Sequence, residues 1–213
     1  MDVINSLFAR EFPVNTTHVY LNHAAVAPWP VRASQAVGRF AEENSQIGAS
    51  HYLQWLDVKN TLRQQLATLC HAHIDEIAFV KNTSEALSFV AAGIDWQAGD
   101  VVLISDEEFP SNRIVWEALA DQGVIVRKVS LQGDDPNAAL ERELSNGIKL
   151  LAISAVQYGS GIAVDLVRLG RICKQHNVLF CVDAIQVIGA MPFDVNEIQC
   201  DFAMADGHKW MLG

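Results

Sequence analysis

Side chains suited to covalent, acid–base or anion-binding chemistry stand at the end of short apolar runs, or a few residues beyond them, in this sequence. Asp183 ends the run "LFCVD", Gln186 stands three residues later, and Lys209 follows the run "FAMA". Thr83 and Ser84 follow the run "IAFV" and lead into a helical stretch. Hydroxyls and free N–H groups at a helix N-terminus suit a phosphate, and a lysine amine can bond covalently to an aldehyde.

Two aromatic residues occupy comparable places. Phe109 stands in "DEEFPSN" after a second apolar run, and Tyr158 stands with Gln157 in the glycine-rich "VQYGSG" after another. The Phe109 ring is suited to cover a planar ligand, although a lone Phe usually belongs to a core, and Gln157 and Tyr158 are polar candidates.

Each of these residues also has an ordinary structural interpretation. Thr83 or Ser84 is a plausible helix N-cap, Asp183 is able to cap the turn that follows it, and Lys209 resembles a solvated surface residue. The set as a whole favours function, because the carboxyl ends of parallel strands meet at one edge of a sheet, where ligands bind.

Together these groups match the requirements of pyridoxal 5'-phosphate. The aldehyde requires the amine of Lys209, and the ring nitrogen stays protonated beside a carboxylate such as Asp183. Gln186 is a donor for the phenolic oxygen, and Thr83 and Ser84 suit the phosphate. We therefore expect this cofactor, bound at one edge of the sheet.

The elements that must position these residues alternate between short apolar runs and longer amphipathic ones. This alternation predicts an α/β protein with a mostly parallel sheet that is covered by helices on both faces. The predicted strands are 77–80, 101–105, 124–129, 150–155, 179–183 and 202–205, and the predicted helices lie near 84–93, 111–122, 136–146 and 165–176.

The first part of the chain has another pattern. "YLNHAAVAPWP" is rich in turn residues, and a long helical run is predicted from about Val31 through Leu69. We therefore predict a helical N-terminal arm over 1–76 and a cofactor-binding domain over 77–213.

Composition excludes several classes of function. The chain has 213 residues, half of them hydrophobic, and a formal net charge of −10. An acidic chain with no basic cluster disfavours nucleic acid as a partner, and no apolar run is long enough to predict a membrane span. The four cysteines form no CxxC pair and "HAH" at 71–73 has no partner at ligand spacing, so we expect no metal site. We expect a cytoplasmic location, because the beginning of the chain does not resemble a secretory signal.

The sequence resembles the class V aminotransferase-like enzymes of fold type I, which include cysteine desulfurases, kynureninases and isopenicillin N epimerase-like proteins. "YLNHAAVAPWP" is similar to the family's opening "YLNxAAxxPxP", and "NTSEAL" to its phosphate loop "NTTEAL". "VDAIQVIGAMPFDV" is similar to "VDGAQxxGxxPxDV", and "DFAMADGHKWMLG" to "DFxxxSGHKWxxGP". The resemblance implies the three-layer αβα large domain of these pyridoxal phosphate enzymes and a homodimer.

The resemblance also implies roles for individual residues. It makes Lys209 the catalytic lysine that bonds to the cofactor, Asp183 the partner of the ring nitrogen and Gln186 the partner of the phenolic oxygen. It places His208 with Thr83 and Ser84 at the phosphate. It places Phe109 on the ring face and puts Asn22 and His23 in the stretch that approaches the substrate. Tyr158 is a further cofactor-binding candidate.

Departures from the family pattern bear on function. Cysteine desulfurases usually have a His where this chain has Phe109, so the aromatic residue resembles the kynureninase and epimerase-like branches. The family often has Ser where this chain has Asp206, and an aspartate cannot donate to a phosphate as serine does.

Family members run about twice as far, so the resemblance leads us to expect a truncated chain without the small C-terminal domain, the carboxylate-binding arginine and a strand that fits inside the sheet. We expect exposed apolar surface and self-association from this. We expect an enzyme acting on an amino acid or amine as an aminotransferase, a lyase or desulfurase, or an epimerase. The alternative is a catalytically incompetent remnant that folds or binds through its dimer surface.

Overall fold

The structure, a computed structural model, describes residues 3–213, so residues 1 and 2 of the predicted arm lie outside the described residues. The described residues form two compact units, one that extends to residue 66 and includes 207–213, and one of 67–206. The predicted domain boundary after residue 76 stays a prediction.

The second unit contains a five-stranded sheet in the order β2-β1-β3-β4-β5, with every neighbouring pair of strands parallel. The α/β class and the mostly parallel sheet with flanking helices are therefore confirmed. The strands are β1 (Val101–Ser105), β2 (Ile125–Val129), β3 (Leu150–Ser154), β4 (Leu179–Asp183) and β5 (Phe202–Met204).

Burial follows the apolar runs. Every residue of β1 and β3 is buried, because both strands lie inside the sheet and helices cover their faces. Strand β2 lies at one edge and leaves Ile125 exposed. Trp116 and Phe180 are the largest fully buried side chains, and burying a side chain of this size contributes about 1.5–3 kcal/mol.

Four α-helices of this unit connect successive strands, and one precedes the first strand. Gly170 lies so close to the neighbouring short helix that an added Cβ would stand 1.8 Å from the carbonyl oxygen of Ile198. The helices are α4 (Thr83–Gly93), α5 (Ser111–Glu117), α6 (Pro136–Leu144), α7 (Leu166–His176) and α8 (Val195–Ile198).

The predicted strand at 77–80 is wrong. No described strand pairs with this segment, and a strand exists only through its ladder of hydrogen bonds to a neighbour. Phe79 and Val80 are exposed by 39% and 37%, respectively. The helix predicted near 111–122 is only partly an α-helix, since α5 ends at Glu117 and a 3-10 helix continues from Ala118 to Gln122.

The long helical run predicted from about Val31 through Leu69 is divided into two helices in the first unit. The division falls at Gly48, whose φ of +56° is a left-handed conformation that ends a helix. Phe40 packs edge-on against Trp55 across the two helices at 5.0 Å, and Trp55 Nε1 donates to Glu43 at 2.9 Å. The helices are α1 (Val3–Glu11), α2 (Val31–Ile47) and α3 (Tyr52–Cys70).

The four cysteines are thiols, of which Cys70, Cys173 and Cys181 are buried. Burial raises the pKa of Cys173 to about 12 and that of Cys200 to about 11. Among the described residues no group of His, Cys, Asp or Glu is arranged to hold a metal ion, and no helix is long and apolar enough to cross a membrane.

Candidate active site

The N-terminus of α4 carries the predicted phosphate-binding residues. The N-cap is neither Thr83 nor Ser84 but Asn82, whose Oδ1 accepts the Glu85 N–H at 2.9 Å. Because Asn82 caps the helix, the hydroxyls of Thr83 and Ser84 are available for other partners.

Both hydroxyls bond to groups that follow other strands. Thr83 donates its N–H at 3.3 Å and its hydroxyl at 3.0 Å to Oδ2 of Asp206, two residues beyond β5. The Ser84 hydroxyl shares a hydrogen bond of 2.7 Å with that of Ser111, which begins α5 after β1. These contacts bring the N-terminus of α4 to the carboxyl edge of the sheet.

The predicted partner of the ring nitrogen lies at the same edge. Asp183 ends β4 in register with Met204 of β5, and only 3% of its surface is exposed. One carboxylate oxygen accepts the Ile185 N–H at 3.1 Å, and Gln186 is likewise buried. A carboxylate taken this far out of water is stable only with partners, and a cationic nitrogen suits it.

The two predicted aromatic residues come together. The rings of Phe109 and Tyr158 meet edge to face with 5.0 Å between their centroids. Both are about half exposed, so the pair presents ring surface outside the core.

The loop that carries Phe109 is held by a buried carboxylate beside it. Glu108 is only 4% exposed, and its Oε1 accepts from the Ser154 N–H at 2.9 Å and from Gln157 at 2.8 Å. Its Oε2 accepts from the Ser154 hydroxyl at 2.5 Å and from Asn112 at 2.9 Å. We call Glu108 and these partners the Glu108 network.

The electrostatics of the Glu108 network are unusual because all four donors are neutral. Burial raises the pKa of the Glu108 carboxyl above its ordinary value, although the hydrogen bonds act in the opposite direction. The Oε1 atom of Gln157 is buried without a hydrogen-bond partner among the described residues. The network fixes the loop before α5 to the end of β3.

In the first unit, the predicted substrate segment packs against the lysine segment. The His23 ring stacks on Trp210, the neighbour of Lys209, with 5.1 Å between ring centroids. The Ala27 N–H donates to the His208 carbonyl at 2.8 Å, and Asn22 closes a turn by accepting the Ala25 N–H at 3.1 Å.

The structure therefore brings the predicted residues together in two sets. In the second unit, Thr83, Ser84, Asp183, Gln186, Phe109 and Tyr158 lie at or beyond the carboxyl edge of the sheet. In the first unit, Asn22 and His23 lie in the turn beside the segment of His208 and Lys209. The functional roles of all these residues stay predictions.

Sequence reasoning missed Ser111 and most of the Glu108 network. Ser111 stands in "DEEFPSN", and an acidic residue in a loop directly after a buried strand is the available signal for Glu108. That signal is weak, because most such carboxylates are solvated.

The donor set of the second unit fits pyridoxal phosphate in chemical type. It combines helix N–H groups with hydroxyls, a buried carboxylate, a buried amide and an aromatic pair, which suit a phosphate, a ring nitrogen, a phenolic oxygen and a ring face. Asp206 is the exception, because its carboxylate already accepts from Thr83.

Comparison with known proteins decides the family. The profile of the family described as "Aminotransferase class-V" matches residues 19–213. The chain belongs to this family. A probable cysteine desulfurase of Methanothermobacter thermautotrophicus is 35% identical over 96% of this chain and 52% of its own length. Isopenicillin N epimerase of Amycolatopsis lactamdurans is 30% identical over 90% of this chain and 50% of its own length.

A solved structure has the same fold. It is a mutant of the protein C-DES with glycine covalently linked to its PLP cofactor, and it superposes with a TM-score of 0.86. It is 25% identical, and the match covers 96% of this chain and 56% of that one. The chain thus spans about half the length of the class V relatives that it matches.

Proposed function

We propose that this class V chain is the cofactor-binding part of a pyridoxal phosphate enzyme that acts on an amino acid or amine. The reaction is an aminotransfer, an elimination or desulfuration, or an epimerisation. When bound, the cofactor withdraws electrons from the substrate bond that reacts. Cysteine desulfurase and epimerase relatives, and a relative whose structure holds PLP, support this proposal.

The observation that carries the proposal is the buried carboxylate of Asp183 at the sheet edge to which the N-terminus of α4 is bonded. An anion-binding helix end and a buried carboxylate at one edge match a ligand with phosphate at one end and a cationic ring nitrogen.

We assign the roles as the family pattern suggests. Lys209 would hold the cofactor through its aldehyde group, and its amine would serve as the base at the substrate carbon. Asp183 keeps the ring nitrogen protonated, and Gln186 donates to the phenolic oxygen. Phe109 with Tyr158 covers the ring.

The remaining roles concern the phosphate and the substrate. His208 joins Thr83 and Ser84 at the phosphate, and Asn22 with His23 approaches the substrate. The stacking of His23 on Trp210 supports a shared position for the turn and the lysine segment.

We further propose a cytoplasmic homodimer. Helix α2 has no buried residue among those described, and it leaves Val37, Phe40 and Ile47 exposed by 43% or more. Exposed apolar side chains on one helix are typical of a surface that another protein covers. Light scattering that finds a stable monomer would contradict the dimer.

Trapping the cofactor on its lysine tests the proposed function. The purified chain is mixed with pyridoxal phosphate, its visible spectrum is recorded, and the product is reduced with borohydride for peptide mapping by mass spectrometry. We expect a yellow species and a modified Lys209. Lys209→Ala should abolish both, whereas Lys174→Ala, at an exposed lysine of α7, should retain both.

Two results would count against the proposal. A folded chain that gives no modified Lys209 would favour the remnant that only folds or binds a partner. Trapping without any turnover of amino acids would leave a cofactor-binding protein and refute the enzymatic part.

A further inference from the structure

We propose that Asp206 sets the affinity of this chain for the phosphate end of its cofactor, by occupying the donors that a phosphate requires. This inference rests on the proposed function, because it concerns the same site. It makes Asp206 a specificity-determining residue that weakens the preference for a phosphorylated ligand.

The hydrogen bonds of Thr83 carry the argument. A single oxygen of Asp206, Oδ2, accepts both the backbone N–H and the hydroxyl of Thr83. These are the donors that the first turn of α4 would otherwise offer to an anion. A phosphate must displace the carboxylate or bind with fewer donors.

Electrostatic repulsion also weakens the binding of a phosphate. A carboxylate at a helix N-terminus gains the interaction with the helix dipole that a phosphate would gain there. The second acidic residue of this region, Glu85, lies in the first turn of α4 and accepts the Lys81 N–H at 2.5 Å. A phosphate therefore meets negative charge, and because Asp206 is half-buried, water screens this charge incompletely.

Part of the anion site is unaffected by Asp206. The hydroxyls of Ser84 and Ser111 bond to each other at 2.7 Å, and Asn82 satisfies the Glu85 N–H independently. Binding should therefore be weakened rather than abolished, and replacing one side chain should restore it.

Two substitutions at Asp206 test the inference. Asp206→Ser introduces a donor, and Asp206→Asn keeps the size of the side chain while removing its charge. The control is Asp165→Ser, which changes net charge equally and replaces another helix-capping carboxylate, since Asp165 caps α7 by accepting the Arg168 N–H at 2.9 Å.

Affinities for pyridoxal phosphate and for pyridoxal are measured by absorbance titration. We expect both Asp206 variants to bind the phosphorylated form about tenfold more tightly than the parent chain, with pyridoxal affinity changed by less than about twofold. Asp165→Ser should leave both affinities unchanged. An unchanged ratio of the two affinities in folded Asp206 variants, or weaker binding of the phosphorylated form, would overturn the inference.

Inorganic phosphate separates this inference from the proposed function. Phosphate should raise the melting temperature of Asp206→Ser more than that of the parent chain, because a ligand that binds the folded state stabilises it. If neither aldehyde binds any variant, the proposed function fails, and the phosphate measurement still decides the role of Asp206. Equal shifts in the parent chain and in Asp206→Ser would then overturn the inference.

Discussion

Swapping the carboxylate of Glu108 and the amide of Asn112 tests whether the direction of the hydrogen bonds in the Glu108 network stabilises the fold. In Glu108→Gln, the amide oxygen can keep the partners of Oε1, which are the Ser154 N–H at 2.9 Å and Gln157 at 2.8 Å. The new NH₂ group takes the place of Oε2 and faces the donating amide of Asn112, formerly at 2.9 Å. Asn112 cannot turn its oxygen to this side, because Trp116 Nε1 donates to it at 3.0 Å.

The Ser154 hydroxyl, which donates to Oε2 in the parent chain, can rotate and accept from the new NH₂ group. The magnitude therefore follows from the single conflict with Asn112. One buried donor without an acceptor costs about 1–3 kcal/mol, and removing the buried charge offsets part of that cost. We therefore expect Glu108→Gln to lower the free energy of unfolding by about 1–2 kcal/mol at pH 7.

The partner substitution Asn112→Asp places two carboxylates in contact, so that one must stay protonated. At pH 7 this costs about 4 kcal/mol, since the ordinary pKa lies about three units lower. In the double variant the introduced glutamine amide donates to the introduced carboxylate, which still accepts from Trp116. We expect the free energy of unfolding of the double variant to exceed, by at least about 2 kcal/mol, the value expected from adding the two single losses.

Urea unfolding at pH 7, followed by circular dichroism, measures all four proteins. Hydrogen exchange of the Ser154 amide reports on the network locally, because this N–H donates to Glu108. If the loss of stability in the double variant equals the sum of the two single losses to within about 0.5 kcal/mol, the two side chains do not interact as described.

Three further predictions concern pH, packing and thiol reactivity. Because the pKa of Glu108 is raised in the folded protein, its stabilising contribution is fully present below the ordinary value of 4.5 and is lost as pH rises through the folded pKa. Urea titrations should therefore show the parent chain losing stability relative to Glu108→Gln as pH rises from 4.5 to the folded pKa of Glu108. A parent chain that gains relative stability over this pH range would contradict the assignment. Gly170→Ala should cost about 3 kcal/mol or more despite the better helix propensity of alanine, because its Cβ would stand 1.8 Å from the Ile198 carbonyl oxygen. Gly93→Ala, at an exposed end of α4 with no atom within 4 Å, should change the melting temperature little, and equal effects at the two glycines would refute the packing argument. At pH 8 Cys173 should react with iodoacetamide only after unfolding, since burial raises its pKa to about 12, and rapid labelling of the folded chain would refute this.

Much of the sheet was predictable because burial on both faces leaves a local signature. The runs that became β1 and β3 are apolar throughout, and the structure buries every residue of both. The same logic failed at 77–80, which is equally apolar but pairs with no described strand. Apolar composition reports that a segment is suited to burial, whereas a strand also requires a neighbour.

The candidate site shows the same division. From residue types alone, Thr83, Asp183 and Lys209 could be selected, because their chemistry matched one ligand. The sequence also indicated that Asp206 cannot donate to a phosphate. That Asp206 instead accepts both donors of Thr83, 123 residues away, is decided only by the tertiary structure.

The sequence by itself determined the alternation of strands and helices, the family and the residues with suitable chemistry. Tertiary structure alone decided which polar groups meet, as between Glu108 and Ser154, 46 residues apart. The physical reason is the distance along the chain over which each effect acts. Hydropathy and propensity act over a few residues, whereas a buried hydrogen bond depends on the order and register of strands that are distant in the chain.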